Sequence, residues 1–208
     1  MFEIINTLKE EDISDDFVAI GNLLNEYKEP YHAALIIKHN SNLLQYHYTG
    51  KDIELSDVDF EYFHKRTRTI HKEEIPAFIA YCNSIKKNAN PIYGYFYSGE
   101  YYDNNGIHFS KKSIGERMTC VGFCINVLKG FLENDYLKYA DWDSSSHSSE
   151  YLLKYAEKHN LNVSSIQESH RRISPIEILT SGFFYNIPIS KIEIDNKLTE
   201  VKEYLRNY

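Results

Sequence analysis

The segment from Thr119 to Leu132 constrains the fold most, because it has the apolar spacing of a buried amphipathic helix. It reads TCVGFCINVLKGFL, and its apolar residues follow the i, i+3, i+4 rule. Thr119 is a good N-terminal cap, which places Cys120 on the first turn and Cys124 deeper, as a core residue. Free backbone donors and the helix dipole stabilise an anion there, so Cys120 is a candidate nucleophile with a lowered pKa. The alternative is a buried structural cysteine.

A β-hairpin is predicted over residues 31–49, where two strand-like runs flank the turn-prone Asn40-Ser41. With a two-residue turn there, Gln45 and His47 share a sheet face with His32. A thiolate nucleophile needs a base, usually a histidine, that a third polar group orients. These three side chains are therefore candidate partners for a catalytic cysteine.

Further elements follow from capping and periodicity. Phe17 and Ile20 stand at helical spacing in a segment that Ser14 or Asp15 could cap. Pro76 suits the first turn of another helix. The predicted helices are 13–28, 73–88, 149–159, a short helix after Ser174-Pro175, and the C-terminal LTEVKEYLRNY. The segment KIEIDN before this last helix alternates apolar and polar residues. The serine-rich residues 141–150 are predicted to be a surface loop.

Composition excludes several classes of protein. The 208 residues suit one domain, and a net charge of −7 without a basic stripe argues against a nucleic-acid binder. No apolar run is long enough for a membrane helix, and the first residues lack the features of a signal peptide. Three cysteines without a CxxC pair disfavour both a disulfide scaffold and a zinc site. The sequence therefore predicts a cytoplasmic protein with no integral membrane segment.

No cofactor is predicted, because the phosphate-cradling motifs GxxxxGK[ST] and GxGxxG do not occur. A metal site at His32, His39 and His47 is disfavoured. These histidines straddle a flexible turn and lack the companion carboxylate or cysteine expected of zinc.

Four segments together resemble the circularly permuted NlpC/P60 branch of the papain-like thiol hydrolases. They are HAALIIKHNSNLLQYHY (His32 to Tyr48), IPAFIAYCNSIKKNANPIYGY (Ile75 to Tyr95), TCVGFCINVL (Thr119 to Leu128) and RISPIEIL (Arg172 to Leu179). In that family the first strand carries the base, the next strand carries a polar orienting residue, and the cysteine begins the core helix. The segments span about residues 30–180 and keep this order.

The resemblance implies a single α+β, papain-like domain over residues 1–208. A small antiparallel sheet around the hairpin would pack against a central helix, 120–133, that carries the cysteine. Cys120 is then the implied nucleophile, His32 the implied base and Gln45 the third residue, with His47 in reserve.

The implied activity is hydrolysis of an amide or peptide bond, or of an ester, through an acyl-enzyme intermediate. Its substrate would be a peptide, an amide or another acyl compound. The alternative is a catalytically silent papain-like domain that binds a protein or ligand, with the tyrosine-rich residues 93–102 as its contact surface.

Overall fold

A six-stranded antiparallel sheet built around the 31–49 hairpin is the framework of the molecule. The computed structural model of the chain describes residues 4–7, 15–111, 114–143 and 149–208. The strands are β1 (Ile5–Asn6), β2 (Phe17–Leu24), β3 (Pro30–His39), β4 (Asn42–Tyr48), β5 (Ile53–Asp57) and β6 (Phe63–Arg66). They lie in the order β1-β6-β2-β3-β4-β5, and each neighbouring pair is antiparallel. The fold is thus mixed α+β, with a larger sheet than the small one expected.

Helices and short strands complete the described part of the chain. The helices are α1 (Ile75–Asn88), α2 (Cys120–Leu132), α3 (Ser149–His159), α4 (Val163–Ser169), α5 (Pro175–Ser181) and α6 (Lys191–Asn207). The short strands are β7 (Ile92–Tyr93), β8 (Tyr101–Tyr102), β9 (His108–Phe109) and β10 (Arg117–Met118). Strand β7 pairs in parallel with β10, and β8 pairs antiparallel with β9. None of the described helices combines the length and the apolar character needed to cross a membrane.

The hairpin has the predicted two-residue turn. Asn40 and Ser41 take left-handed backbone conformations, with φ of 49° and 67°, as a type I′ turn requires. His39 pairs with Asn42, and the ladder continues as far as Leu35 opposite Tyr46. This register puts the side chains of His32, Gln45 and His47 on one face, which confirms that prediction.

Helix α2 covers the other face of the hairpin because both surfaces are apolar. Ala33 and Leu35 of β3 alternate onto this face and join α2 in the main core cluster. The ring of Tyr46 packs against Phe123 of α2, with centroids 5.1 Å apart. Truncating a fully buried aromatic side chain to alanine costs about 3–5 kcal/mol, so this contact holds α2 firmly on the hairpin. Cys124 is fully buried, as predicted.

The face that carries His32, Gln45 and His47 is turned away from α2. Its buried cluster consists of Phe17, Ala19, Ala34, Ile36 and Tyr62. Val58 is partly buried against this cluster, so the chain that follows β5 closes this side of the sheet.

The helix predicted over residues 13–28 is wrong in its described part, because residues 17–24 form β2. Side chains on both faces of β2 are buried, because Val18 and Ile20 join the core cluster that includes α2 and Phe17 and Ala19 join the cluster on the opposite face. The sequence of such a strand is a continuous apolar run without alternating polar residues. A run of this kind also contains apolar residues at helical spacing, which explains the wrong prediction. Ser14, one of its predicted caps, lies outside the described residues, as do residues 144–148 of the predicted 141–150 loop.

The other helix predictions at 73–88, at 149–159 and after Ser174-Pro175 are confirmed as α1, α3 and α5. The alternating KIEIDN segment is also helical and forms the start of α6. The Ser190 side chain accepts a hydrogen bond from the N–H of Glu193, and this cap outweighs the short alternation.

Candidate functional site

Thr119 caps α2 and places Cys120 on its first turn, as predicted. The backbone of Thr119 is extended, with φ of −88° and ψ of 177°. Its Oγ1 accepts a hydrogen bond from the N–H of Gly122 at 3.1 Å. Cys120 is the first residue of α2 and is partly buried. Its thiol therefore lies at the positive end of the helix dipole.

Two opposing effects set the pKa of the Cys120 thiol. Burial raises it, because a thiolate loses its hydration inside the protein. Hydrogen bonds from the backbone of Ala33, Val121 and Cys120 itself lower it; such bonds are donated to the sulfur, so they come from N–H groups. Burial is the larger effect, and the pKa lies above its ordinary value. Cys120 is therefore a neutral thiol at pH 7, without the lowered pKa that a helix start can give.

Ala33 is the residue of β3 that lies beside Cys120. Its backbone reaches the sulfur, and its side chain lies in the core cluster that includes α2. His32, one residue earlier, points to the opposite face of the sheet. Among the described residues no hydrogen bond joins the His32 ring to Cys120. The structure does not bring the predicted nucleophile and the predicted base into contact.

His32 instead pairs with His47. Nε2 of His32 lies 2.7 Å from Nδ1 of His47, and the two rings are nearly perpendicular, at 78°. Burial and the nearby His47 lower the pKa of His32 to about 4. Burial also lowers the pKa of His47, although Nε2 of that ring lies 3.3 Å from Oε2 of Glu54. Both rings are therefore neutral at pH 7, and one nitrogen of the close pair donates to the other.

Gln45 does not contact His32. Its side chain is fully buried, and its amide donates hydrogen bonds to Oγ of Ser56 at 3.1 Å and to Oδ1 of Asp59 at 2.6 Å. Of the two candidates for the third residue, the reserve choice, His47, is the one beside His32.

A cleft of about 600 Å³ opens next to Cys120, and we call it the tyrosine cleft. Its lining residues are Tyr48, Gly50, Lys51, Pro91, Ile92, Tyr93, Tyr95, Tyr151, Lys154, Tyr155, Lys158 and His159. Tyr93 pairs with Met118, two residues before Cys120, so the cleft adjoins the start of α2. Burial and the Tyr95 hydroxyl raise the pKa of Tyr93. Only Tyr93 and Tyr95 come from the predicted binding stretch 93–102.

The aromatic rings of the tyrosine cleft form a continuous wall. Centroid distances are 5.6 Å for Tyr93–Tyr95, 6.0 Å for Tyr95–Tyr151 and 5.9 Å for Tyr151–Tyr155. Tyr155 also lies 4.4 Å from His159, at a tilt of 34°. Sequence reasoning missed Tyr151 and Tyr155, although their i, i+4 spacing on α3 was a signal that both belong to one helix face.

The hydroxyl groups of the cleft bind the protein itself. Tyr155 donates to the carbonyl oxygen of Tyr93 at 2.8 Å, and Tyr48 donates to that of Pro91 at 3.0 Å. Tyr93 donates to the Tyr95 hydroxyl at 3.1 Å. These bonds fix the rings. Tyr48 and Tyr155 are buried, so the exposed ring of Tyr93 and the half-buried rings of Tyr95 and Tyr151 form the apolar surface that a ligand would meet.

The three histidines considered for a metal site do not meet at one point, because His39 lies apart from the His32–His47 pair. His39 lies at the far end of β3, where its Nδ1 is 2.7 Å from Oδ2 of Asp16. The described ranges contain no group of three or more histidine, cysteine, aspartate and glutamate side chains placed to hold a metal ion.

Comparisons with models of protein families, with curated proteins and with solved structures give no match to this chain. The tyrosine cleft and the surroundings of Cys120 are therefore the basis for a functional proposal.

Proposed function

We propose that this chain is a ligand-binding domain whose tyrosine cleft is the binding site and whose Cys120 is catalytically silent. One observation carries this proposal: the residue of β3 beside the sulfur is Ala33, whereas His32 points to the opposite sheet face. A thiol nucleophile needs a base within hydrogen-bond reach. Among the described residues, Cys120 has no such imidazole.

The protonation states support the same proposal. A Cys–His catalytic pair works when the thiol loses its proton easily to the imidazole. Here burial raises the pKa of Cys120, and burial lowers the pKa of His32 to about 4. Both shifts favour a neutral thiol and a neutral imidazole.

At the level of the fold, we propose a papain-like domain related to the permuted NlpC/P60 branch that has kept the architecture without the catalytic pair. The order of elements supports this, since the β3–β4 hairpin precedes α1 and a cysteine begins the central helix α2. A domain of this kind can bind a ligand in the tyrosine cleft without catalysing a reaction on it.

Binding of a fluorescent aromatic probe to the full chain tests the proposal. The probes are 8-anilinonaphthalene-1-sulfonate and its uncharged relative N-phenyl-1-naphthylamine, each titrated at neutral pH. We expect saturable binding of at least one probe, and Tyr93→Ala should abolish it because Tyr93 is an exposed part of the aromatic wall.

The control is Tyr27→Ala, which removes a more exposed tyrosine outside the cleft. It should leave probe binding unchanged. The proposal is wrong if neither probe saturates, or if Tyr93→Ala binds the probes as the parent does.

The second candidate is a thiol hydrolase that cleaves an amide, peptide or ester bond. The three backbone N–H groups around the Cys120 sulfur favour it, since they would stabilise a thiolate or an oxyanion. The thiolate would attack the carbonyl carbon and expel the protonated amine or alcohol. Water would then release the acid and restore the thiol. This candidate requires a conformation in which an imidazole such as His32 reaches Cys120, and thiol reactivity distinguishes the two proposals.

A further inference from the structure

The lining of the tyrosine cleft is positively charged, although the whole chain has a net charge of −7. Lys51, Lys154 and Lys158 stand around the aromatic wall together with His159, and the lining contains no aspartate or glutamate. A cleft lined by positive charge attracts anions, even when the net charge of the whole protein is negative.

The lysines of the cleft are available to a ligand to different degrees. Lys154 is paired with Glu150 at 2.6 Å, in a contact that is exposed on both sides. Lys51 and Lys158 are exposed and have no ion-pair partner among the described residues. Two cations that have no ion-pair partner in the described part of the chain therefore line the cleft.

Arg117 adds positive charge behind the wall. Its side chain forms a hydrogen bond with the Tyr155 hydroxyl. Burial and the positive charges of Arg117 and Lys158 lower the pKa of His159. The tyrosines contribute no compensating negative charge at neutral pH. Burial raises the pKa of Tyr155, and it raises that of Tyr151 to about 12.

Two carboxylates act on the cleft from outside its lining. Asp52 and Glu116 both contribute to raising the pKa of Tyr48, after burial. Glu116 is engaged elsewhere, because it accepts hydrogen bonds from the Tyr102 hydroxyl at 2.7 Å and from the Asn90 N–H at 3.1 Å. These neutral donors leave the charge of Glu116 in place. The three lysines of the cleft and Arg117 still outnumber Asp52, Glu116 and Glu150, so an excess of positive charge remains.

From the aromatic wall and its cationic rim we infer that the ligand of the tyrosine cleft is a small anion with a planar apolar body, such as an aromatic carboxylate or phosphate. The ring faces accept the apolar part by stacking, and Lys51 and Lys158 bind the charged group. This inference rests on the proposed function, since it names the class of ligand for the same site.

The paired probes separate charge recognition from apolar binding. The sulfonated probe and the uncharged probe share the same anilinonaphthalene body, so their difference in affinity reports the anionic group. We expect the sulfonated probe to bind about fivefold or more tightly, as two exposed ionic contacts would give. The double variant Lys51→Gln/Lys158→Gln should remove this difference between the two probes. Lys202→Gln, an exposed lysine of α6 outside the cleft, is the matched control.

Displacement of the bound sulfonated probe identifies the anionic group. 1-Naphthoate tests for a carboxylate, 1-naphthyl phosphate tests for a phosphate, and 1-naphthalenemethanol is the uncharged competitor. The anion that displaces the probe at the lower concentration identifies the source of charge. If the alcohol displaces it as well as both anions do, the cleft does not recognise charge.

The outcomes distinguish the inference from the proposal beneath it. Equal affinities of the two probes, with binding still lost in Tyr93→Ala, would overturn the anionic ligand and leave the binding function intact. Absence of saturable binding by both probes would overturn both. A charge-dependent difference that survives in Lys51→Gln/Lys158→Gln would also overturn the assignment of the anion to these lysines.

Discussion

At the scale of single residues, neighbouring positions of β3 have different environments. Ala33 faces α2 and the sulfur of Cys120, and His32 faces the opposite side of the sheet. Because side chains alternate along a strand, an offset of one residue moves a base from one face to the other. This offset explains why His32 pairs with His47 and does not contact Cys120, although the backbone of its neighbour Ala33 reaches the sulfur.

The buried His32–His47 pair should make the stability of the protein depend on pH. The pKa of His32 is about 4 in the folded protein and 6.5 for an ordinary histidine, so the unfolded chain takes up the proton first. His32 therefore makes the free energy of unfolding fall as the pH drops from 6.5 to about 4. The difference is about 2 kcal/mol after allowance for partial exposure.

Urea unfolding of the parent and of His32→Gln at several pH values between 4 and 7 measures this contribution. The variant should lose less stability over that range. Asn196→Gln, at an exposed residue of α6 that does not titrate, is the control and should follow the parent. Parallel curves for the parent and His32→Gln would contradict the burial of a neutral His32.

At the scale of elements, strong local signals decided which predictions succeeded. The turn at Asn40-Ser41, the Thr119 cap and the prolines that begin α1 and α5 each act over a few residues, and these elements formed as expected. Strand β2 was predicted as a helix because burial on both faces removes the alternation that marks a strand. Its environment depends on β3 and β6, which a local pattern does not contain.

The hairpin turn gives a test at this scale. Ser41 has a φ of 67°, a conformation that glycine adopts without the steric cost of a Cβ atom. Ser41→Gly should raise the free energy of unfolding by about 0.5–1 kcal/mol, and Ser41→Val should lower it because a β-branched residue is disfavoured there. Thermal and urea unfolding provide the measurement. A less stable Ser41→Gly variant would contradict the assigned turn.

At the scale of the whole molecule, the tyrosine cleft, which we propose as the binding site, depends on contacts between distant segments. The tyrosine cleft combines the end of β4, the β7 region and α3, and its aromatic wall exists only because Tyr151 and Tyr155 pack against Tyr93 and Tyr95. The sequence indicated an aromatic contact surface near residue 93. It could not indicate that α3 completes this surface, or which face of the hairpin α2 covers, because both depend on tertiary packing.

The most direct measurement of the central claim is the rate of iodoacetamide labelling of each cysteine as a function of pH, determined by peptide mass spectrometry in the parent and in His32→Ala. We expect Cys120 to label slowly at pH 7 and its rate to keep rising with pH beyond the ordinary pKa of a thiol, and we expect His32→Ala to leave this profile unchanged. Rapid labelling of Cys120 below pH 7 that disappears in His32→Ala would contradict the silent site and establish a working thiol–imidazole pair.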